Sequence, residues 1–411
     1  MGKTVAMILA GGRGKRMDVL CHVRPKPALP FAGRFRVIDF TLSNCVYSGI
    51  KDIAVLTDYQ RSGMAKYLQQ WCQANSLRTF NILEPESGSY RGTADAVYQN
   101  LEYLDKIKAE NVLILAGDHI YKMDYTDMLD FHRKTGADVT VGVIRVPFED
   151  IARFGTVSLS DEKEIMEFVE KSRNSRSNLA SMGIYVFNKE VLAARLAEDA
   201  SRIDSPHDFG YAILPGMVGR DRVMAYEFKG YWQDIGTPEA YYDANMELLC
   251  TYPSFSLNHY RTVLTRQIDL SPAEISGQGT VINSVLSPGC VVKGHVENSV
   301  LSPGVFVDRQ AEVRNSILMP DVSIGFHSVV DTCIIDEGVR VEKLCYLGFG
   351  KSLLEGNFDI TVLGKGVYVP SHTAVGRDCR ILPHVDASVY KGNLITSGTT
   401  LSQAGVSRKY R

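Results

Sequence analysis

The sequence predicts an α/β domain built on a mostly parallel sheet, followed by a domain of stacked parallel β-coils. Three observations carry this reading. From residue 4 to about 245 short apolar runs alternate with longer segments of helical period, near 250 that pattern breaks, and from about 271 aliphatic clusters recur every five to six residues. A chain of 411 residues is too long for one ordinary core, and two domains fit it best.

In the first domain Thr4–Ala10, Ile53–Thr57, Val112–Ala116 and Val139–Val146 read as strands, several of them buried on both faces, while Val37–Ser48, Thr93–Lys108 and Tyr125–Thr135 read as helices. Strands alternating with helices imply a sheet covered by helices. Ligands of such sheets sit beyond the carboxyl ends of strands, which singles out the loops after Thr4–Ala10 and Val112–Ala116. Tyr252, Pro253, Ser254, Phe255 and Ser256 then read as a connection, so the expected boundaries are 1–248 for the first domain, 249–270 for a linker and 271–411 for the second domain. In the second domain pairs such as Val291/Val292, Val300/Leu301 and Ile317/Leu318 are separated by Pro-Gly and Ser-Pro turns, the mark of a β-helix whose coils bury their aliphatic faces only by stacking. The repeat is interrupted around 347–359 and resumes less regularly from Val362 to about Ile395.

Hydrophobic residues at 45% and charged residues at 22% are ordinary for a globular protein, and a formal net charge of −2 offers no global basic footprint for nucleic acid. Any phosphate chemistry must therefore be local. The eight cysteines show no CxxC pair and read as reduced, mostly buried thiols. With no apolar stretch of membrane-spanning length and no signal-peptide pattern in MGKTVAMILAGG, the expected address is the cytoplasm, away from membranes.

Four motifs supply chemistry. Gly11, Gly12, Arg13, Gly14, Lys15 and Arg16 follow a strand directly, giving backbone amides and cationic donors suited to a polyphosphate, although the spacing is neither a Walker loop nor GxGxxG. In RPKP two prolines brace Lys26 on a stiff segment, fixing where its ammonium points. LAGDHIYKMDY delivers Asp118 to a strand end, where a carboxylate suits Mg²⁺, while Asp124 fits the cap of the next helix. YWQDIGT supplies a second acid, Asp234, before a Gly-Thr-Pro helix start. Between these acids FVEKS (Glu170, Lys171), ASMGIYVF (Ser181) and HDFG (Asp208, Phe209) offer the cation and polar groups that a sugar phosphate needs.

In this order the motifs resemble the glucose-1-phosphate adenylyltransferase family over essentially the whole chain. RVIDFTLSNC, GTADAVYQN and GDHIYKMDY carry the adenylyl-transferring character, and the first loop and WxDxGT are shared with nucleotidylyltransferases generally. The resemblance implies a Rossmann-like nucleotidyltransferase domain and a left-handed parallel β-helix. It implies that ATP is bound by Leu9, Ala10, Gly11, Gly12, Arg13, Gly14, Gly92, Thr93, Ala94 and Asp95, that Arg16, Lys26 and Asp118 act at the reacting phosphates, and that Asp118 and Asp234 hold Mg²⁺. Glucose 1-phosphate would meet Tyr90, Gly155, Glu170, Lys171, Ser181, Asp208, Phe209 and Trp232. The implied product is ADP-glucose for glycogen or a related α-glucan, and the implied assembly is a homotetramer packed through the β-helix. Pro25, Ser89 and Ser172 depart from the family pattern but leave its charges intact; Val23 stands where some relatives carry a basic effector contact. Arg34, Arg36, Arg61, Arg377, Arg380, Arg408, Lys409 and Arg411 are the candidates for an anionic effector, with solvated surface the expectation for most of them.

The alternatives are a different nucleotide or sugar 1-phosphate, a non-catalytic regulatory subunit of such an enzyme, and acyl transfer at the β-helix. The second is disfavoured because the loop arginines, Lys26 and both acids are present. The third would need a base among His295, His327, His372 and His384, which read as structural.

Overall fold

The computed structural model describes residues 3–58, 61–77, 79–257, 261–350 and 359–408. Lys409 and Arg411, and the side chains of Arg61 and Arg408, lie outside the described residues. The chain divides into two compact units, one made of Met1–Gly12 and Ile38–Trp232, the other of Arg13–Val37 and Gln233–Arg411.

The first unit holds a nine-stranded sheet. Its strands are β1 (Thr4–Leu9), β2 (Asp52–Leu56), β3 (Phe80–Leu83), β4 (Asn111–Ala116), β5 (Val139–Arg145), β6 (Gly155–Leu159), β7 (Ile165–Glu170), β8 (Leu179–Asn188) and β9 (Val223–Glu227). The order is β7-β6-β8-β4-β1-β2-β3, with β5 also on β8 and β9 beyond β5. Strands β4, β1, β2 and β3 are all parallel, and Val5–Ile8 and Val112–Leu115 at their centre are wholly buried, as their unbroken apolar runs require. Beyond β4 the sheet is mixed: β8 runs antiparallel to β4, β5 and β6. A register shift between Ser181 and Tyr185, around Gly183 at φ 67°, bends β8 as it passes between these neighbours.

The helices expected near 37–48 and 125–135 form at Ile38–Tyr47 and Tyr125–Thr135, the latter capped by Asp124, whose Oδ1 accepts from the Thr126 amide at 3.0 Å. The single helix expected over Thr93–Lys108 is instead two, Thr93–Tyr98 and Leu101–Lys106. The break falls at Asn100, whose side-chain amide donates to Tyr90 Oη (3.1 Å) and to the Ala96 carbonyl (2.8 Å) and holds its backbone out of the helical region.

The second unit contains the β-helix, with three sheets of short parallel strands running along it. Val300 pairs with Ile317 and Ile317 with Ile334, so a coil here takes 17 residues. One inward residue per strand, such as Leu301, Leu318, Ile335, Leu363 and Ile381, builds a continuous buried column. One corner is a stack of residues in left-handed backbone, Asn283, Asn298, Asn315 and Thr332, a conformation in which asparagine is favoured. His327, His372 and His384 occupy similar left-handed corners at φ 58–64°, so they serve the turns. The longer step from Ile334 to Val362 marks the interrupted coil. A hairpin, Thr399–Ser402 against Gly405–Arg408, ends one of the three sheets with the only antiparallel pairing described in the β-helix.

Residues 13–37 pack on this scaffold within the same unit. Arg24, only 6% exposed, donates from Nη1 to Asp336 Oδ1 at 2.7 Å and reaches Glu337 at 3.3 Å, and Arg36 and Lys365 meet the same glutamate at 3.2 and 2.9 Å. Tyr241 Oη donates to the Pro30 carbonyl (2.6 Å), and the Ala32 amide donates to Asn245 Oδ1 (2.9 Å). Arg380, expected as a surface cation, is instead buried, with Asp18 at 3.3 Å and Glu239 at 3.4 Å, because it joins a β-helix coil to the helix that starts at Pro238. Arg377 likewise pairs with Asp331 at 3.2 Å.

Burial pushes the Glu337 carboxyl up, but Arg24, Arg36 and Lys365 outweigh it and hold its pKa down to about 2. Asp336 moves the other way, since burial raises it and Arg24 offsets only part of that rise. A carboxylate depressed on folding stabilises above its unfolded pKa, and that contribution is lost as pH falls from 4.5 towards 2. We expect Glu337→Gln to cost about 2–4 kcal/mol at pH 7 and to flatten the acid-side fall in stability over that window. Urea unfolding midpoints across a pH series measure it, and an unchanged acid limb would show that these ion pairs contribute nothing net.

Candidate active site

The residues singled out in the sequence fall in both compact units. In the first unit β1 ends in Leu9 and Ala10, whose backbone is fixed by the Ala10 amide donating to the Leu56 carbonyl (2.9 Å) and by the Leu9 carbonyl accepting from the Gly117 amide (3.1 Å). Gly11 lies against Asp58, where a Cβ would stand 2.8 Å from the aspartate Cβ. The strand ends are therefore shaped by the absence of side chains, and Gly12 has open space around it. Asp118 follows β4, one-third exposed, with its Oδ1 3.6 Å from His119 Nε2. The His119 ring meets Trp232 edge-on at 5.0 Å, and Phe154 packs on the same indole at 5.2 Å. The Trp232 indole N–H is buried and has no protein acceptor among the described residues.

The GTAD segment opens the helix Thr93–Tyr98 with Gly92 before it. Asp95 is 2% exposed, and its carboxylate accepts from the Arg91 amide (2.9 Å), the Arg91 guanidinium (2.6 Å) and the Gln99 amide (2.8 Å). Burial pushes this carboxyl up, yet the Arg91 and Gln99 donors together hold it below the usual range. Asp95 thus shapes its own loop. Tyr90 is likewise engaged, through Asn100.

Structure brings together the residues picked from FVEKS and HDFG. Glu170 ends β7 with its Oε1 2.8 Å from Lys171 Nζ, and its other oxygen stands where a Cβ on Gly155 or Gly210 would fall, at 2.4 and 2.5 Å. Both glycines are needed for the glutamate to lie there. Lys171 takes left-handed backbone at φ 48° and sets its ammonium 5.3 Å from the centre of the Tyr211 ring. Burial pushes the lysine down, but the bond and charge of Glu170 prevail and raise it above its ordinary value, so the ammonium keeps its proton at neutral pH. Asp208 Oδ1 accepts from the Gly210 (2.9 Å) and Tyr211 (3.1 Å) amides, capping the short π-helical turn Phe209–Ile213, and its Oδ2 accepts from Thr93 Oγ1 at 2.9 Å. Ser181 Oγ lies 3.4 Å from Tyr185 Oη. Phe209, 2% exposed, packs between Tyr185 and Phe187 at 5.7 Å and so belongs to the core.

In the second unit Arg13 and Gly14 precede a short 3₁₀ segment, Lys15–Cys21, of which Arg16 is the second residue. Gly14 has φ 58°, and a Cβ there would press on Cys21 Sγ at 3.0 Å and Lys26 Cβ at 3.2 Å. Lys26 opens a single 3₁₀ turn after Pro25, whose extended backbone keeps the helix from starting earlier. The lysine is 5% exposed and donates from Nζ to Asp234 Oδ1 at 2.7 Å, while Arg16 Nη2 stands 4.0 Å from Asp234 Oδ2. Thr237 caps the following helix, accepting from the Ala240 amide at 3.2 Å, with Pro238 in its first turn. Asp118 and Asp234, the two acids expected at a metal, thus belong to different compact units. Both offer hard carboxylate oxygens of the kind Mg²⁺ takes. Among the described residues no group of three or more His, Cys, Asp and Glu side chains forms a self-sufficient metal cage.

Sequence reasoning passed over Asp58, Arg91, Asp199 and His207. The i,i+4 spacing to Asp95 was a local hint of Arg91; nothing in the sequence pairs Gly11 with Asp58, or Asp199 with His207, which meet at 2.8 Å.

An α/β sheet with glycine turns at its strand ends, joined in one chain to a three-sheet β-helix, is the architecture of a nucleotidyl transferase with a hexapeptide-repeat domain. Comparison with known families agrees: residues 5–250 match the nucleotidyl transferase model and residues 271–369 the GlmU-like C-terminal hexapeptide model. The chain belongs to the glucose-1-phosphate adenylyltransferase family of nucleotidyl transferases, since it is similar over nearly its whole length to proteins of that name. It is 43% identical to the one from Thermomicrobium roseum, covering 98% of both chains, and 40% identical to that from Acetivibrio thermocellus, again covering 98% of both. The Fervidobacterium nodosum protein is 40% identical over 98% of this chain and 99% of its own.

Gly92 is the tightest point of the site, because a Cβ would lie 2.3 Å from the His207 carbonyl oxygen and 2.6 Å from that of Pro206. We expect Gly92→Ala to destabilise the protein by about 1–3 kcal/mol through forced backbone movement. Denaturant unfolding measures it, and wild-type stability would show that the two loops separate without cost.

Proposed function

We propose that the protein joins ATP and glucose 1-phosphate into ADP-glucose with release of pyrophosphate. The observation that carries this is the pair of carboxylate-held cations at the expected positions, the buried Lys26 with Asp234 and the exposed Lys171 with Glu170, on a chain similar throughout to enzymes named for that reaction. In this reading a phosphate oxygen of glucose 1-phosphate attacks the α-phosphorus of ATP in line with the departing pyrophosphate. The attacking oxygen is already anionic at neutral pH, so no general base is required. The work left to the chain is positioning and charge neutralisation.

Arg13, Arg16 and the glycines Gly11, Gly12 and Gly14 would receive the ATP phosphates, with Lys26 at the reacting group. Gly92, Thr93 and Ala94 would line the base and ribose, the loop held in shape by Asp95 from within. Lys171 would meet the sugar phosphate, with Glu170, Ser181, Asp208 and the Trp232 indole N–H near the sugar hydroxyls. Asp118 and Asp234 would hold Mg²⁺, which, when bound, neutralises phosphate charge. Residues 1–248 form the catalytic domain in this proposal, 249–270 a linker and 271–411 the assembly domain. Phe326, Leu344 and Tyr346, all exposed apolar side chains of the β-helix, support packing into a homotetramer. An anionic effector would find Arg34 exposed, whereas Arg36, Arg377 and Arg380 already hold carboxylates. No described helix is long and apolar enough to cross a membrane; the eight free thiols fit a cytoplasmic address, and the likeness to the adenylyltransferases supports a role in glycogen synthesis.

Pyrophosphate release by the purified homomeric protein, with ATP, UTP, dTTP and GTP compared at fixed glucose 1-phosphate, tests the proposal. ATP should be preferred, and turnover should need Mg²⁺. Asp118→Ala should fold normally and lose about 10²-fold or more in kcat; a near-wild-type rate would remove Asp118 from the site, and no release with any nucleotide would favour a regulatory subunit.

A further inference from the structure

We propose that His207, held by Asp199, is a positioning residue that locks the nucleotide loop (92–95) and the sugar loop (208–211) into one rigid piece. This rests on the functional assignment of those loops made above. Four observations, all within the first compact unit, converge on it.

His207 is 4% exposed and adopts left-handed backbone at φ 50°, an unfavourable conformation for a residue with a Cβ. Its Nδ1–H donates to Asp199 Oδ2 at 2.8 Å, and Asp199, itself 6% exposed, stands in the last turn of the helix Lys189–Ala200. The second oxygen of that aspartate accepts from Ser205 Oγ, which in turn accepts from the His207 amide at 3.0 Å, so the turn is closed on both sides of the histidine.

In this conformation the His207 carbonyl accepts from the Ala94 amide at 2.8 Å and from the Asp95 amide at 3.4 Å. Those are first-turn amides of the helix Thr93–Tyr98, which would otherwise lack partners. The next residue continues the joint, because Asp208 divides its carboxylate between Thr93 Oγ1 and the amides of Gly210 and Tyr211. Thr93 Oγ1 answers by accepting from the Phe209 amide at 3.0 Å. Gly210 backs onto Glu170, whose other oxygen holds Lys171. The cation for the sugar phosphate and the loop for the nucleotide therefore hang on one frame, and His207 is where that frame is fixed. Its burial and its bond to Asp199 give the imidazole a structural task rather than one at the reacting atoms.

The experiment compares wild type with His207→Ala, His207→Gly, His207→Asn and Asp199→Ala in the full-length protein. Amide hydrogen exchange of the segment 92–98 is read without substrates, and KM and kcat are read for ATP and glucose 1-phosphate. Glycine tolerates the backbone conformation but lacks the bond, whereas asparagine tolerates it and places Nδ2 near the former Nδ1. Expected are faster exchange at Ala94 and Asp95 in the Ala and Gly variants and in Asp199→Ala, with KM for both substrates rising together by about tenfold and kcat changing by less than about threefold. Asparagine should restore both readouts. A purely structural residue would lower the active fraction, and so kcat, while leaving KM unchanged. Wild-type exchange and KM values in His207→Gly and Asp199→Ala would overturn the proposal, as would failure of asparagine to rescue. Should His207→Ala not fold, His207→Asn and Asp199→Ala decide the matter alone. If exchange loosens as expected but even the wild type releases no pyrophosphate, the reaction assignment fails while the joint stands.

Discussion

Holding two polyanions side by side requires cations whose own positions do not depend on the ligands, and this chain obtains them by pairing its key lysines with carboxylates. Lys26 is the clearest case: nearly removed from water, its ammonium donates to Asp234, 2.7 Å away and distant in sequence. Breaking such a buried pair from one side typically costs about 3–5 kcal/mol, since the partner is left charged and unsolvated. That penalty explains why the segment 13–37 is bolted to its unit by further pairs of the same kind, Arg24 with Asp336 and Asp18 with Arg380. The glycines, prolines and caps around Lys26 adjust the direction of the ammonium; the ion pair makes the direction worth having.

The same logic operates on a smaller scale around Lys171. Its backbone is strained, its carboxylate partner fits only because two glycines withdraw, and the neighbouring loop is tied down through Asp208 and His207. Strain of this sort persists only where the surroundings over-determine it. Two such residues, Lys171 and His207, stand here beside loops from distant parts of the sequence.

Much of this was legible from the chain alone. Unbroken apolar runs announced β1 and β4, whose burial on both faces leaves no room for alternation, and the recurring aliphatic pairs announced the β-helix, because nothing else repeats at that interval. Strand direction beyond β4 was not legible, since the antiparallel placement of β8 depends on which partners its bent path can reach. The split of the helix after Tyr98 was hidden for a related reason: Asn100 breaks it through bonds to Tyr90 and Ala96, while the propensities on either side favour continuation. Charged residues were the hardest to read. Asp95 looked like a ligand contact and is occupied by Arg91, and Arg380 looked like surface and is buried, because a charge reveals its partner only after folding. His207 and Asp199 lie eight positions apart with no motif joining them, so only their meeting in space exposes the pair.

The closing hairpin of the β-helix, Thr399–Ser402 with Gly405–Arg408, reverses strand direction on one of the three faces. A solenoid extends end to end only if every face presents a strand edge that the next coil can copy in the same sense. With one edge turned back on itself, a further coil in the same sense has no parallel strand to copy on that face.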